Sequence, residues 1–144
     1  MPKFSERKCL NMARGGLSFS GIGEKFVTVK AAGSVSAVAL VSGAAYVEGK
    51  AVTCEGDQLY GFGSAGDPIR GIIDKYESDH YMTIQYAGFR EGVPGVSGAL
   101  PAANKYLAVD GYGAVSEVAT PVSPAYAVDV DDTANVNTVT VFIG

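Results

Sequence analysis

Apolar and polar side chains alternate in several short stretches of this chain, which is the pattern of half-buried β-strands. Four stretches are predicted to contain strands, and the alternation is clear in the first and the last: KFVTVK (25–30), SVSAVALVSGAAYVEGKAVTCEG (34–56), QLYGF (58–62) and YMTIQYAGF (81–89). Turns near Gly43 and Gly49 would divide the second stretch into two or three strands. In the fourth stretch, apolar residues would occupy one face and polar residues the other: Met82, Ile84 and Tyr86, against Thr83 and Gln85.

Three pairs of strands are predicted to form hairpins. PIRGIIDKYES (68–78) has isoleucines at helical spacing, but its β-branched residues and interior Gly71 favour a strand, and a short turn, SDH, leads into 81–89. KYLAVDGYGAVSEV (105–118) contains the turn signal Asp-Gly. The last stretch, 126–144, would turn around 131–135.

Composition supports the same fold class. The chain contains 18 valines but 6 leucines, together with 19 glycines, and turn signals recur throughout its length. We therefore predict an all-β fold, a small barrel or sandwich of antiparallel hairpins. Residues 25–144 would form a single β domain, and residues 1–24 an extended basic N-terminal arm.

Charge is distributed unevenly. The net charge is −4, but residues 1–14 carry +3, so the remaining residues carry −7. An acidic body lacks the clustered Lys and Arg that nucleic-acid binding requires, and we expect no direct nucleic-acid contact. We also expect no membrane partner, since no long apolar run and no apolar signal segment is present.

The stretch GFGSAGDPIRG (61–71) matches a dinucleotide-binding fingerprint at Gly61, Gly63 and Gly66. That motif must open a helix within a βαβ unit, and the predicted hairpin leaves no room for one. The glycines are better explained by a turn or bulge, so no cofactor is expected.

No catalytic or metal constellation is predicted. GVSGA (95–99) lacks the final glycine of a nucleophile elbow, and the one histidine, His80, falls in a predicted turn. Cys54 is predicted to be a small buried residue and pairs with no second cysteine in a motif. Asp129, Asp131 and Asp132 do not fit the spacing of a calcium loop, which favours a solvated hairpin tip.

Several short pieces occur in an order that resembles the small β-rich head decoration, or capsid cement, proteins of tailed bacteriophages. The pieces are GKAVT (49–53), GDPIRGII (66–73), YMTIQYAGF (81–89), LAVDGYGAV (107–115) and NTVTVFIG (137–144). They span about two-thirds of the chain. The chain departs from this pattern at ESDHY, where a glycine turn would be usual, and in its long basic arm.

The resemblance implies a structural virion protein, made in the bacterial host cytoplasm, that binds the outer capsid surface. It would stabilise contacts of the major capsid protein and associate with itself as a homotrimer. No enzymatic activity, catalytic residue, cofactor or metal comes with this family.

Two segments are candidate partner-binding sites. The positive arm would anchor on capsid protein, through Lys3, Phe4, Arg7, Lys8 and Arg14. A Gly/Pro/Ala-rich loop at 91–104 would form a subunit contact, through Val93, Pro94, Val96 and Leu100.

Three alternatives stay open at this point. The chain would serve equally well as a phage tail or fibre component. A ligand-binding β-barrel would require an apolar cavity and a monomer. A small hydrolase would require paired carboxylates, for which Asp74 and Glu77 are candidates.

Overall fold

The computed structural model describes residues 23–77, 79–96, 99–122, 125–131 and 137–144. These residues form nine strands and two short helices. In chain order the elements are β1 (Lys25–Ala31), α1 (Gly33–Ser42), α2 (Ala44–Val47), β2 (Ala51–Gly56), β3 (Leu59–Gly61), β4 (Gly71–Tyr76), β5 (Tyr81–Pro94), β6 (Tyr106–Val109), β7 (Val115–Val118), β8 (Ala125–Asp131) and β9 (Thr138–Ile143).

Five strands close into a barrel in the order β1-β3-β2-β4-β5, because β1 also pairs with β5. All of these pairings are antiparallel except β1 with β3, which is parallel and is restricted to Lys30 with Leu59 and Ala31 with Tyr60. The predicted all-β barrel is therefore confirmed. The β1–β3 and β2–β4 ladders are the shortest of the barrel, with two residue pairs each.

β5 is the element that joins the barrel to the remaining strands. It is 14 residues long, and its second half pairs with β9, which is followed across the sheet by β8, β6 and β7. The three predicted hairpins, β4–β5, β6–β7 and β8–β9, are all present. The tip of the last hairpin, at 132–136, lies outside the described residues.

Two apolar cores share the strands β2 and β4. Ile73 belongs to the barrel core with Val52, while its neighbour Ile72 belongs to a second core with Val93 and Val141. Since successive side chains of a strand point to opposite faces, β4 is buried on both faces by different parts of the fold. The two cores are thus coupled through the same backbone.

Shortening either isoleucine should weaken both cores together. We expect Ile72→Val and Ile73→Val each to lower the free energy of unfolding by about 0.5–1.5 kcal/mol. Urea unfolding followed by tyrosine fluorescence and by far-UV circular dichroism should give coincident transitions for both variants. Two separate transitions in either variant would contradict the coupling through β4.

The prediction of strands at 34–47 is wrong, because this segment forms α1 and α2. Its valines favour strands locally, but Val35 and Ala39 are one helical turn apart and both are buried against the barrel. Tertiary burial of this pair overrides the weak local preference.

The predicted two-faced strand at 81–89 is correct as far as Ile84, but its second half differs. Gln85 is fully buried, and Tyr86 is exposed. The register with β1 runs from Phe26–Gln85 to Lys25–Ala87, so Tyr86 is an extra, bulged residue that breaks the alternation. The Gln85 side-chain amide donates hydrogen bonds to the carbonyls of Ala87 (3.1 Å) and Phe89 (2.9 Å), which satisfies the amide nitrogen inside the fold.

The glycine-rich stretch after β3 forms a turn, as predicted, and leads into β4. Gly63 and Gly66 have positive φ angles of 65° and 94°. At Gly61 a Cβ atom would overlap the side chains of Ser34 and Glu55. The Ser34 hydroxyl donates to Glu55 (2.7 Å) and accepts from the Phe62 N–H (3.0 Å), so the turn is tied to the start of α1.

Candidate interaction surfaces

The two helices lie over one end of the barrel, and we call them the helical cap (33–47). Val35 and Val47 are buried in the barrel core, which anchors both helices. Gly43 separates the helices with a φ of 97°, a backbone conformation that favours glycine, and its N–H donates to the Ala39 carbonyl at the end of α1.

The outer side of the helical cap is apolar. Leu40 and Val41 are each 85% exposed, and Tyr46 is 55% exposed. No residue from 31 to 47 carries an ionisable side chain except Tyr46. An exposed apolar surface without charged residues is typical of a protein contact, so this surface is a candidate for one.

A concave pocket of about 400 Å³ lies beside the cap. Leu40 and Ala44 line one side, and Tyr76 and His80 the other. The Tyr76 hydroxyl lies 3.1 Å from His80 Nδ1, at hydrogen-bond distance. Burial of the ring, and then the nearby Asp79 carboxylate, raise the pKa of Tyr76 above its usual value of 10.0.

The raised pKa of Tyr76 predicts a loss of stability at alkaline pH. The unfolded phenol ionises near its usual pKa while the folded phenol stays neutral, so the stabilisation is complete below pH 10 and is lost as pH rises through the folded pKa. Urea unfolding at pH 8 and pH 11 should therefore show a steeper decline for the wild type than for Tyr76→Phe. Equal declines would contradict this assignment.

A second concave surface runs beside β1, and we call it the β1 groove. Its two adjoining parts have volumes of about 390 Å³ and about 550 Å³ and share Val27 and Tyr60 in their walls. It lies along the seam where β1 separates from β3. The exposed rings of Phe26 and Tyr86 stand over its first part.

The predicted partner-binding residues fall in different environments. The five arm residues, between Lys3 and Arg14, lie outside the described residues. In the predicted loop, β5 continues to Pro94, so the loop begins later than residue 91. Val93 is fully buried in the second core, whereas Pro94, Val96 and Leu100 are partly buried. The loop contact stays a prediction, and the partly exposed residues would have to make it.

The prediction that Cys54 is buried is wrong, because its side chain is exposed on β2 and its thiol donates to the Gly56 carbonyl (3.0 Å). Val52 and Thr53 of the same strand are buried, but the end of β2 that carries Cys54 extends past the barrel core. His80 is an exposed turn residue with a φ of 70°.

The carboxylates considered for hydrolysis are not placed as an acid–base pair. Asp74 forms an ion pair with Arg90 (2.8 Å) across the β4–β5 hairpin. Glu77 follows the end of β4, and its backbone N–H donates to the Tyr81 carbonyl (2.8 Å). Asp129 accepts a hydrogen bond from the Val130 N–H (3.0 Å), and Asp132 lies outside the described residues.

Within the described ranges, no group of three His, Cys, Asp or Glu side chains is arranged to hold a metal ion. Among the same residues, neither helix has the length and apolar character needed to cross a membrane. Comparison with protein-family models and with curated proteins finds no match to this chain.

Sequence reasoning missed the helical cap as a surface. The available signal was the absence of Lys, Arg, Asp and Glu between residues 31 and 47 in a chain with 18% charged residues. In strands, the same valines would alternate into the interior. The helical geometry places Leu40 and Val41 outside.

Proposed function

We propose that this chain is a structural virion protein that binds the outer capsid surface of a tailed bacteriophage. It stabilises contacts of the major capsid protein and associates with itself as a homotrimer. The observation that carries the proposal is the helical cap, whose exposed leucine and valine leave an uncharged apolar surface on an acidic body. The order of short motifs, which resembles that of capsid cement proteins, supports the capsid as partner.

The helical cap suits contact between copies of the same chain. In a closed three-fold ring, a surface at the symmetry axis meets its equivalents in the other copies, and an apolar surface without charged residues is compatible with that contact. Burial of Leu40, Val41 and Tyr46 in such a ring removes apolar area from water at about 25 cal/mol per Å². In this proposal the contact with the capsid is assigned to the basic arm.

The alternatives receive less support. A tail or fibre component would use the same surfaces, and its location in the particle distinguishes it. A ligand-binding barrel needs internal space, but this five-stranded barrel is filled by side chains such as Ile73, Met82 and Ile84. A ligand would have to occupy one of the surface grooves.

Density-gradient sedimentation of lysate from the natural source, probed for this chain, tests the proposal. The protein should travel with DNA-filled particles, and salt or heat should release it while the shells survive. Recovery with soluble protein at the top of the gradient would overturn the capsid assignment. Recovery with isolated tails would favour the tail alternative.

Removing the basic arm should weaken capsid binding but leave the fold intact. Deletion of residues 1–14 removes +3 of charge, which we expect to lower affinity for decoration-free particles by at least about tenfold at low salt. Binding should be measured by co-sedimentation at two salt concentrations, with circular dichroism as the folding control. Unchanged binding of the truncated protein would rule out the arm as an anchor.

A further inference from the structure

Among the described residues, β1 is paired along its full length on one edge only. It pairs with β5 along residues 25–30, but on its other side the pairing with β3 is confined to Lys30 and Ala31. No strand among the described residues covers the other edge at 26–29. An open strand edge is a template for another extended chain.

Backbone hydrogen bonds identify which groups this edge offers. The Ala31 N–H donates to His80, on the β5 side, and the Ala32 N–H donates to Tyr60, on the β3 side. Because successive residues of a strand direct their backbone groups to opposite edges, Thr28 and Phe26 present their N–H and C=O groups to the open edge. An added strand could therefore form backbone hydrogen bonds with these two residues, which have the alternate spacing of a β-ladder.

The β1 groove provides space beside this edge for the side chains of an added strand. Buried isoleucines form the floor of its first part: Ile69, Ile84 and Ile143. Aromatic rings of Phe26, Tyr60 and Tyr86 form its walls. An apolar side chain of moderate size fits such a floor, as in other cases of strand addition, where pockets for alternate side chains give specificity.

The charged residues around the β1 groove indicate what kind of segment would bind there. Lys30 and Arg70 line the groove and are exposed, together with the acidic residue Asp57. Arg70 forms no ion pair with any described residue. This positive strip lies on a body whose charge outside residues 1–14 is −7, so it is a local exception. Carboxylates are attracted here, whereas the chain's own residues 1–14, with a charge of +3, carry the wrong sign.

We propose that the β1 groove binds an extended acidic segment of a partner protein, which adds to β1 as a further strand. Alternate side chains of the segment are apolar and enter the groove, and the intervening carboxylates face Lys30 and Arg70. This inference is independent of the capsid proposal, because it rests on the edge, floor and charge of the groove.

A capped hexapeptide of alternating valine and glutamate, titrated into the full ¹⁵N-labelled chain, tests the proposal by NMR. The amide signals of Phe26 and Thr28 should shift saturably, and their solvent exchange should slow by about tenfold or more. The valine–lysine counterpart should bind at least about fivefold more weakly. The valine–glutamate peptide with its edge-facing nitrogens methylated should lose binding, because it cannot pair with β1.

Thr28→Pro removes the N–H at the open edge without removing a β1–β5 hydrogen bond, and should weaken binding by about tenfold or more. Thr28→Val keeps the N–H and the branched side chain, so it should bind like the wild type. If Thr28→Pro does not fold, the binding of the N-methylated peptide to the wild type tests the same backbone pairing.

Three results would overturn the proposal. They are the absence of saturable shifts at β1, equal binding of the methylated peptide, and protection of the Phe26 and Thr28 amides in the full chain without peptide. The last result would assign the edge to a segment of the chain itself or to a second copy.

Discussion

Gly63→Ala is expected to destabilise the fold by about 2–5 kcal/mol. Gly63 has a φ of 65°, a left-handed conformation that costs a side-chain-bearing residue about 1–2 kcal/mol. A Cβ atom there would also overlap the Thr53 side chain, which is 4% exposed and has little room to move. Overpacking of this kind adds about 1–3 kcal/mol.

Gly66→Ala provides the matched control, because Gly66 belongs to the same turn and also has a positive φ, 94°. A Cβ atom at Gly66 would meet no other atom within 4 Å, so the backbone cost of about 1–2 kcal/mol should act alone. Urea unfolding of both variants, at one pH and temperature, measures the difference. A loss for Gly63→Ala no larger than for Gly66→Ala would show that Thr53 moves aside.

The second large effect is expected at the helical cap. In the double variant Leu40→Glu/Val41→Glu, each copy carries two carboxylates at the proposed contact between copies. Central apolar residues of an interface commonly contribute about 2 kcal/mol or more each, so self-association should fall by about a hundredfold or more. Because both side chains are 85% exposed, folding of the single chain should be little affected.

Light scattering coupled to size-exclusion chromatography should show a trimer for the wild type and a monomer for the doubly substituted chain. Val122→Glu, at an exposed valine between β7 and β8, is the control and should remain trimeric. A wild type that is monomeric in solution would contradict the copy–copy contact. If this monomer bound particles and lost binding on substitution, the cap would instead be a capsid-binding surface.

The strand pairs that can be identified from sequence are those with a strong local signal. Alternation in 25–30 and 81–84, together with Asp-Gly at the turn of the second hairpin, requires no knowledge of the remaining chain. The predictions fail where burial depends on distant elements. Gln85 has the polarity of a surface residue, but a bulge and the carbonyls of Ala87 and Phe89 allow it to be buried.

The candidate surfaces also divide into features that local sequence predicts and features that depend on distant elements. The uneven charge and the basic arm can be read directly from the chain. The β1 groove cannot, because its floor combines residues from the loop before β4, from β5 and from β9, which are up to 74 positions apart (Ile69 to Ile143).

By itself the sequence determined the all-β class, the hairpins, the glycine turn and the acidic body, since each depends on residues close together in the chain. The closure of β1 on β5, the double burial of β4, the helical state of 33–47 and the open edge beside the groove came from the tertiary structure. The physical reason is that one type of side chain, above all valine, occurs both in strands and in helices, and both in the interior and on the surface. Which role each one takes depends on the apolar area that distant strands leave to be covered.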